Sequence, residues 1–445
     1  MTSQDTPSVT PAVTETATAT ATSEIRAPAA PRSPVQLLLP LVIPSLVVGI
    51  FSSVLLLAVS AVAAGLEDVL WTDIPSAFGV SGNAAFWIFL ILTLTGVAVG
   101  LIVWKMPGHA GPDPATLGLV EAPLGLPVLP SLLLALILML AGGVSLGPEN
   151  PIMGIAIGVV FAIGTRLLPL VGAEIWIALA TAGMLGAMFG TPVAAALVLS
   201  ESLAAGTQSR QPLWDRMFAP MVAAGAGSLT TDALSGGRLS MAVPLPPYPG
   251  ANLADLLIGA VLASATALLG LVAVYAFRGV YPLFKRISNP LLVLTIGGAL
   301  LGVLGIVGGP ITLFKGLDQM KELAQNASQY SAAGLALVTL VKIAALVIAG
   351  TCGFRGGRIF PSVFVAVAAG LFASALLPST PPALAVACCV LGFLLAVSRQ
   401  GWLSLFMAAV IVPEIDLIPV LTLAMLPAWL LVTGKPEMLM KAAES

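Results

Sequence analysis

Charge is scarce in this sequence. Only 9 per cent of its 445 residues are Asp, Glu, Lys or Arg, while 58 per cent are hydrophobic. Soluble domains carry roughly 25 per cent charged residues, so a soluble globular chain is excluded. Long apolar runs point instead to an all-α polytopic membrane protein. The formal net charge of −2 gives no electrostatic case for a nucleic-acid partner. Histidine occurs once, at His109, which rules out a two-histidine zinc motif. The three cysteines, Cys352, Cys388 and Cys389, lie in or beside apolar segments with no metal-ligand spacing, and buried unpaired thiols are expected. There is no Asp-rich diphosphate motif, no G-x-S-x-G elbow and no ATP-binding motif. We therefore expect no enzyme: no catalytic residue, no metal, no cofactor and no nucleotide.

Glycine (45) and proline (35) are abundant, as expected where membrane helices are short, broken or closely packed. Residues 1–34 are rich in Thr, Ala, Ser and Pro, a composition that cannot bury a core, and a disordered tail is expected there. No apolar stretch follows a basic start within it, so it is not read as a signal peptide. A first membrane repeat is placed at 35–231, a Gly/Pro-rich linker at 232–251, a second repeat at 252–436 and a short polar tail at 437–445. The stretch holding Lys315, Asp318, Lys321 and Glu322 reads as a polar loop.

The two repeats resemble each other weakly. In each, a span ends in a Gly-rich polar break, and a proline (Pro151, Pro361) opens a helix of small residues, with shorter apolar segments behind it. Paired interrupted helices at corresponding positions point to an inverted-repeat transporter with its site near the midplane. Segments shorter than about 18 residues cannot cross the bilayer alone. Basic residues near span ends include Arg26, Arg32, Lys105, Arg210, Arg216, Lys285, Arg286, Lys435 and Lys441. By the positive-inside rule they put both termini in the cytoplasm.

One break carries a carboxylate. Glu149 lies between Pro148 and Pro151 in the run GGVSLGPENPIMGIAIG. An acidic residue at membrane depth is a functional-site candidate by default. The helix that follows offers free N–H groups and a dipole that favour an anion. The Glu149 carboxylate and a permeant anion would compete for one helix end, which would make a gate; the plainer reading is that Glu149 only caps its helix.

The order of motifs resembles the CLC chloride channel and transporter family over roughly residues 35–441. LGPENP (146–151) resembles that family's GREGP with Glu149 at the gating glutamate, AGMLGAMFGTPVAAALVLSE (182–201) the segment that follows, GRIFP (357–361) its GIFAP, and GHAGPDP (108–114) its GSGIPEI. Together with GWLSLFMAA, these strings are closer still to a bacterial branch named only for ion transport. The resemblance implies an inverted repeat of tilted and broken helices, and a homodimer with one pore per subunit among the lipids of the bacterial inner membrane. It also implies a small inorganic anion as the transported partner.

Carried over by position, the gating and proton residues are Glu149 and Glu201. The anion-binding set is Gly108, His109, Ala110, Gly147, Pro148, Asn150, Arg358, Ile359, Phe360 and Met438. Asn150 stands for a glycine and Pro148 for a basic residue of the family motif, and three side chains of the family's anion and proton path are replaced. His109 (or Ala110, if the alignment slips) stands for the serine at the central anion, Ser202 for the inner proton-transfer glutamate, and Met438 for the central tyrosine. Those losses bear on chloride preference and proton coupling, and leave open a passive channel, a chloride exchanger and a fluoride-type exchanger. His109 is either a donor to an anion or a loop residue bonded to backbone. Glu201 is either a proton relay or an end-of-helix residue. Gly183, Gly186 and Gly190 read as close helix contacts rather than ion ligands. Arg355 and Arg358 either draw anions into a vestibule or sit among headgroups. A secondary transporter of an organic solute on the same plan is a further alternative.

Overall fold

The computed structural model describes residues 38–205, 212–237 and 240–440, with the side chains of 202–205 outside the description. The expected disorder of 1–34, the end of the 437–445 tail and the Ser202 side chain fall outside these residues. Within them the regular structure is helical, and the only β-type pairing is one isolated bridge.

The first half runs through α1 (Val42–Asp68), α2 (Ala85–Lys105), α3 (Leu129–Ala141), α4 (Glu149–Leu167), α5 (Ala173–Phe189), α6 (Pro192–Ala205) and α7 (Leu213–Ser235). The second runs through α8 (Leu253–Lys285), α9 (Pro290–Gly308), α10 (Leu317–Gln325), α11 (Ala332–Cys352), α12 (Ile359–Leu376), α13 (Pro382–Ser398), α14 (Gly401–Ile411) and α15 (Leu417–Val432). α1 continues past Asp68 through one π turn, Val69–Asp73, into a final helical turn.

Packing repeats between the halves. α1 lies against α5 and α7, as α8 lies against α13 and α15. α2 packs along α9, and α6 touches α14, so the halves meet through corresponding elements. Small residues allow these approaches: a side chain at Gly298 would run into the Leu92 carbonyl of α2, and one at Gly186 into the Ala224 carbonyl of α7. Gly183 likewise sits against α1, as expected of a close helix contact, whereas Gly190 is the left-handed C-cap of α5.

Among the described residues, seven helices are long and apolar enough to cross a membrane, while α3, α5, α6, α13, α14 and α15 belong to a shorter apolar class of 10–17 residues. Short helices that stop inside a bilayer leave irregular backbone at depth, which is tolerated only where protein or a cavity surrounds it. The residues of the breaks before α4 and α12 are largely buried within the protein.

The stretch read as a polar loop holds a helix. In α10, Leu317, Met320 and Leu323 recur every three residues, are buried, and face α12. The intervening charges Asp318, Lys321 and Glu322 hide that stripe in the sequence.

Candidate functional site: a carboxylate between two helix starts

α3 ends at Ala141 and α4 begins at Glu149; α11 ends at Cys352 and α12 begins at Ile359. The two breaks meet each other. The Gly147 N–H donates to the Gly357 carbonyl at 2.9 Å and the Gly357 N–H to the Gly147 carbonyl at 2.7 Å, forming the antiparallel bridge. One residue beyond each glycine the chain turns into a helix, so the bridge sets the N-termini of α4 and α12 side by side. Unpaired N–H groups and the positive ends of both dipoles converge there.

Glu149, the first residue of α4, sends its side chain across to the other helix. Its Oε1 accepts the Phe360 N–H at 2.6 Å, and its Oε2 has no hydrogen-bond partner among the described residues. The residue is 0 per cent exposed. Arg358 and Lys315 are the cations whose charge acts on it. Glycine leaves room for the carboxylate on both sides: a Cβ at either Gly147 or Gly357 would overlap Glu149 in its present position. Both backbones therefore come as close to the carboxylate as main chain can.

Buried arginines hold the surroundings. Arg358 donates to the carbonyls of Met438 and Leu117, tying the C-terminal segment and the loop after α2 to the start of α12. Arg355 donates to the Pro112 carbonyl at 2.9 Å and the His109 carbonyl at 3.0 Å. Asn150 adds a 3.0 Å bond to the Gly118 carbonyl. The Phe360 ring lies 6.4 Å from Phe189, which stacks edge-on against Phe406 at 5.8 Å, joining α12 to α5 and α14.

Gly147, Pro148, Glu149, Asn150, Arg358, Ile359 and Phe360 thus come together at the paired helix starts. The Gly108–Ala110 turn is arranged differently. His109 Nδ1 lies 2.8 Å from the Val103 carbonyl, its ring is exposed, and its N–H donates to Met106. The Ala110 N–H donates to Ser131 Oγ at 3.1 Å, so these two donors are already engaged within the protein. Gly108, His109 and Ala110 all have positive φ, and the tight left-handed turn directs the imidazole toward Val103. Ala110 does face α4: with Asn150, Pro151, Arg355 and Gly356 it lines a cavity of about 40 Å3, room for more than one water. Met438 is 1 per cent exposed and fixed by its N–H to the Val397 carbonyl at 3.1 Å.

Glu201 sits elsewhere. Its Oε1 accepts the Gly401 N–H, the first of α14, at 3.1 Å, which makes it a cap on a neighbouring helix, while its buried Oε2 has no partner among the described residues. Sequence reading overlooked Lys342. It is 0 per cent exposed, and its ammonium donates to the carbonyls of Thr312, Leu313 and Phe314 at 2.9, 3.0 and 2.7 Å. A lone charge in the apolar run LALVTLVKIAALVIAG was a usable signal, by the same rule that singled out Glu149.

Comparison with known proteins bears on the whole arrangement. The family profile described as voltage gated chloride channel matches residues 95–433. A relative named "Putative ion-transport protein YfeO" from Escherichia coli (strain SE11) is 49 per cent identical over 409 residues, covering 92 per cent of this chain and 96 per cent of the relative. Its counterpart in Shigella boydii serotype 4 matches with the same identity and coverage. Among solved structures, a slow cyanobacterial Cl−/H+ antiporter superposes with a TM-score of 0.76 at 17 per cent identity, over 89 per cent of this chain and 95 per cent of its own. A CLC-type fluoride/proton antiporter gives 0.69 at 18 per cent, over 90 and 97 per cent. The fold is therefore the CLC inverted repeat, and the chain belongs to the voltage-gated chloride channel (CLC) family.

Proposed function

We propose that this protein carries a small inorganic anion across the bacterial inner membrane, with Glu149 as the gate. One observation carries the reading: a buried carboxylate lies on the Phe360 N–H where two helix N-termini converge. That is a place built for an anion, held by the protein's own anion. While Glu149 is ionised it fills the position. When it is protonated or swings out, the Phe360 and Ile359 N–H groups become available to a permeant ion. Selection by backbone dipoles needs no particular side chain, so loss of the family's serine and tyrosine leaves such a site workable. The donor role at the inner side falls to the backbone rather than to the His109 ring, which is bonded to Val103.

The working unit is a homodimer with one pore in each subunit, surrounded by lipid. Both termini lie in the cytoplasm, on the side that carries Lys105, Lys285, Arg286 and Lys435. The transported anion is chloride or fluoride, the ions named for two antiporters that share the fold, or a related ion such as nitrate. The Glu201 cap on α14 and the serine at 202 favour weak or rerouted proton coupling, and the retained Glu149 favours exchange.

The test is anion efflux from proteoliposomes with a pH electrode in the same trace, wild type beside Glu149→Gln. Exchange predicts opposing proton movement that the variant loses while anion flux persists. Anion flux without protons makes the protein a channel. Absence of halide and nitrate flux from folded protein would refute the anion reading and favour an organic solute.

A further inference from the structure

A second cavity, of about 360 Å3, opens between the α8–α9 corner and the end of α11, lined by Asp113, Lys285, Ser288, Pro290, Thr351 and Arg355 among others. It is many times larger than a bare halide. Its charged lining is two cations and one carboxylate. Asp113 is committed to Lys285, at 2.5 Å, and to the Tyr281 hydroxyl, at 2.7 Å. Arg355 has no carboxylate within ion-pair distance among the described residues, and its bonds go to neutral carbonyls. It is 8 per cent exposed, and its Nε–H has no acceptor among the described residues. The one carboxylate near this buried guanidinium, Asp113, is shared with Lys285, and a further anion in the adjoining space would offset the cost of burying the charge.

The start of α9 (Ser288, Pro290) brings a favourable dipole to the wall, and the end of α11 (Thr351, Gly353) an opposing one. The full charges therefore decide the sign. Beside the mouth, Leu283, Leu292 and Ile296 are exposed apolar side chains, suited to acyl chains.

We propose that this cavity binds a phosphate group, carried by an anionic phospholipid headgroup or by a free phosphate ion. Basic pockets between membrane helices bind phospholipid headgroups by this chemistry. Occupancy would bear directly on the pore, because Arg355 holds the His109–Pro112 turn and lies two residues before the Gly357 bridge.

The test uses the full chain and reads binding, so its failure is separate from any failure to transport. Protein in neutral detergent is titrated with radiolabelled inorganic phosphate. Protein from phosphatidylcholine vesicles with and without phosphatidylglycerol is examined by native mass spectrometry for retained lipid. Lys285→Met and Ser288→Glu change exposed side chains at the mouth, and size-exclusion elution checks their fold. We expect saturable phosphate binding or phosphatidylglycerol enrichment, weakened roughly fivefold by loss of one basic group and further by the added carboxylate. Phosphate binding alone identifies the free ion, and lipid enrichment alone the headgroup. Neither ligand binding, or binding unchanged in both variants, overturns the proposal.

Discussion

On the proposed gating role of Glu149, replacing Gly357 by alanine should open the pore without touching a charge. The position has ordinary negative-φ backbone, so alanine is conformationally allowed. The added methyl would occupy the space of the Glu149 Oε2, and its nearest neighbours all belong to Glu149, whose carboxylate end must turn away to make room. Evicting the carboxylate breaks its bond from the Phe360 N–H. A hydrogen bond to a charged group is worth about 1.5 to 3 kcal/mol, or roughly a tenfold to hundredfold shift from closed to open. Anion efflux from proteoliposomes at neutral pH should rise toward that of Glu149→Ala. Gly147→Ala, whose methyl meets the same carboxylate, should act alike. The decisive comparison is the double variant: once Glu149 is alanine, Gly357→Ala should add nothing. Efflux from folded Gly357→Ala no higher than wild type, or a gain that persists without Glu149, would refute the steric argument.

Two further outcomes concern stability. Lys342→Met keeps the length of the stem but strands three buried carbonyls, so it should cost about 3 kcal/mol or more; an apparent unfolding temperature equal to wild type would contradict that. Asp113 lies in the loop after α2, where burial raises its pKa. The hydrogen bonds from Lys285, Tyr281 and the Ala115 N–H outweigh that and hold the carboxyl below its usual value. A pKa lowered by folding stabilises above the unfolded value, near about 3.9, and the gain is lost as pH falls through the folded value. The stability gap between wild type and Asp113→Asn should therefore be present at neutral pH, modest at about 1 kcal/mol or less because Lys285 is half exposed, and vanish in acid. A gap that widens below pH 4 would reverse the assignment.

Glu149 was legible because a carboxylate in an apolar run conflicts with its surroundings, and the conflict is visible in one dimension. The twin breaks were legible for the same reason, although the helices start at Glu149 and Ile359 rather than at Pro151 and Pro361. The pairing of Gly147 with Gly357 left no trace, since a backbone bridge between two glycines asks for no recognisable residue type. The arginine clamps were hidden likewise: Arg355 and Arg358 bond to carbonyls, which every residue possesses. The direction of the His109 ring follows from a left-handed turn that the string GHAG allows but does not dictate. In α10 the charges match the apolar stripe in number, and composition masked periodicity.

The bridge between Gly147 and Gly357 also bears on how the protein is made. The first half leaves the ribosome with its carboxylate and the glycine edge beside it unmatched, and the groups that satisfy them follow some two hundred residues later. Until α12 arrives, the α4 segment must remain near water, translocon or lipid headgroups rather than at its final depth. Insertion of the first half is therefore provisional, and the second half completes it. A nascent chain halted before Gly357 contains all of α4 but has nowhere to put Glu149.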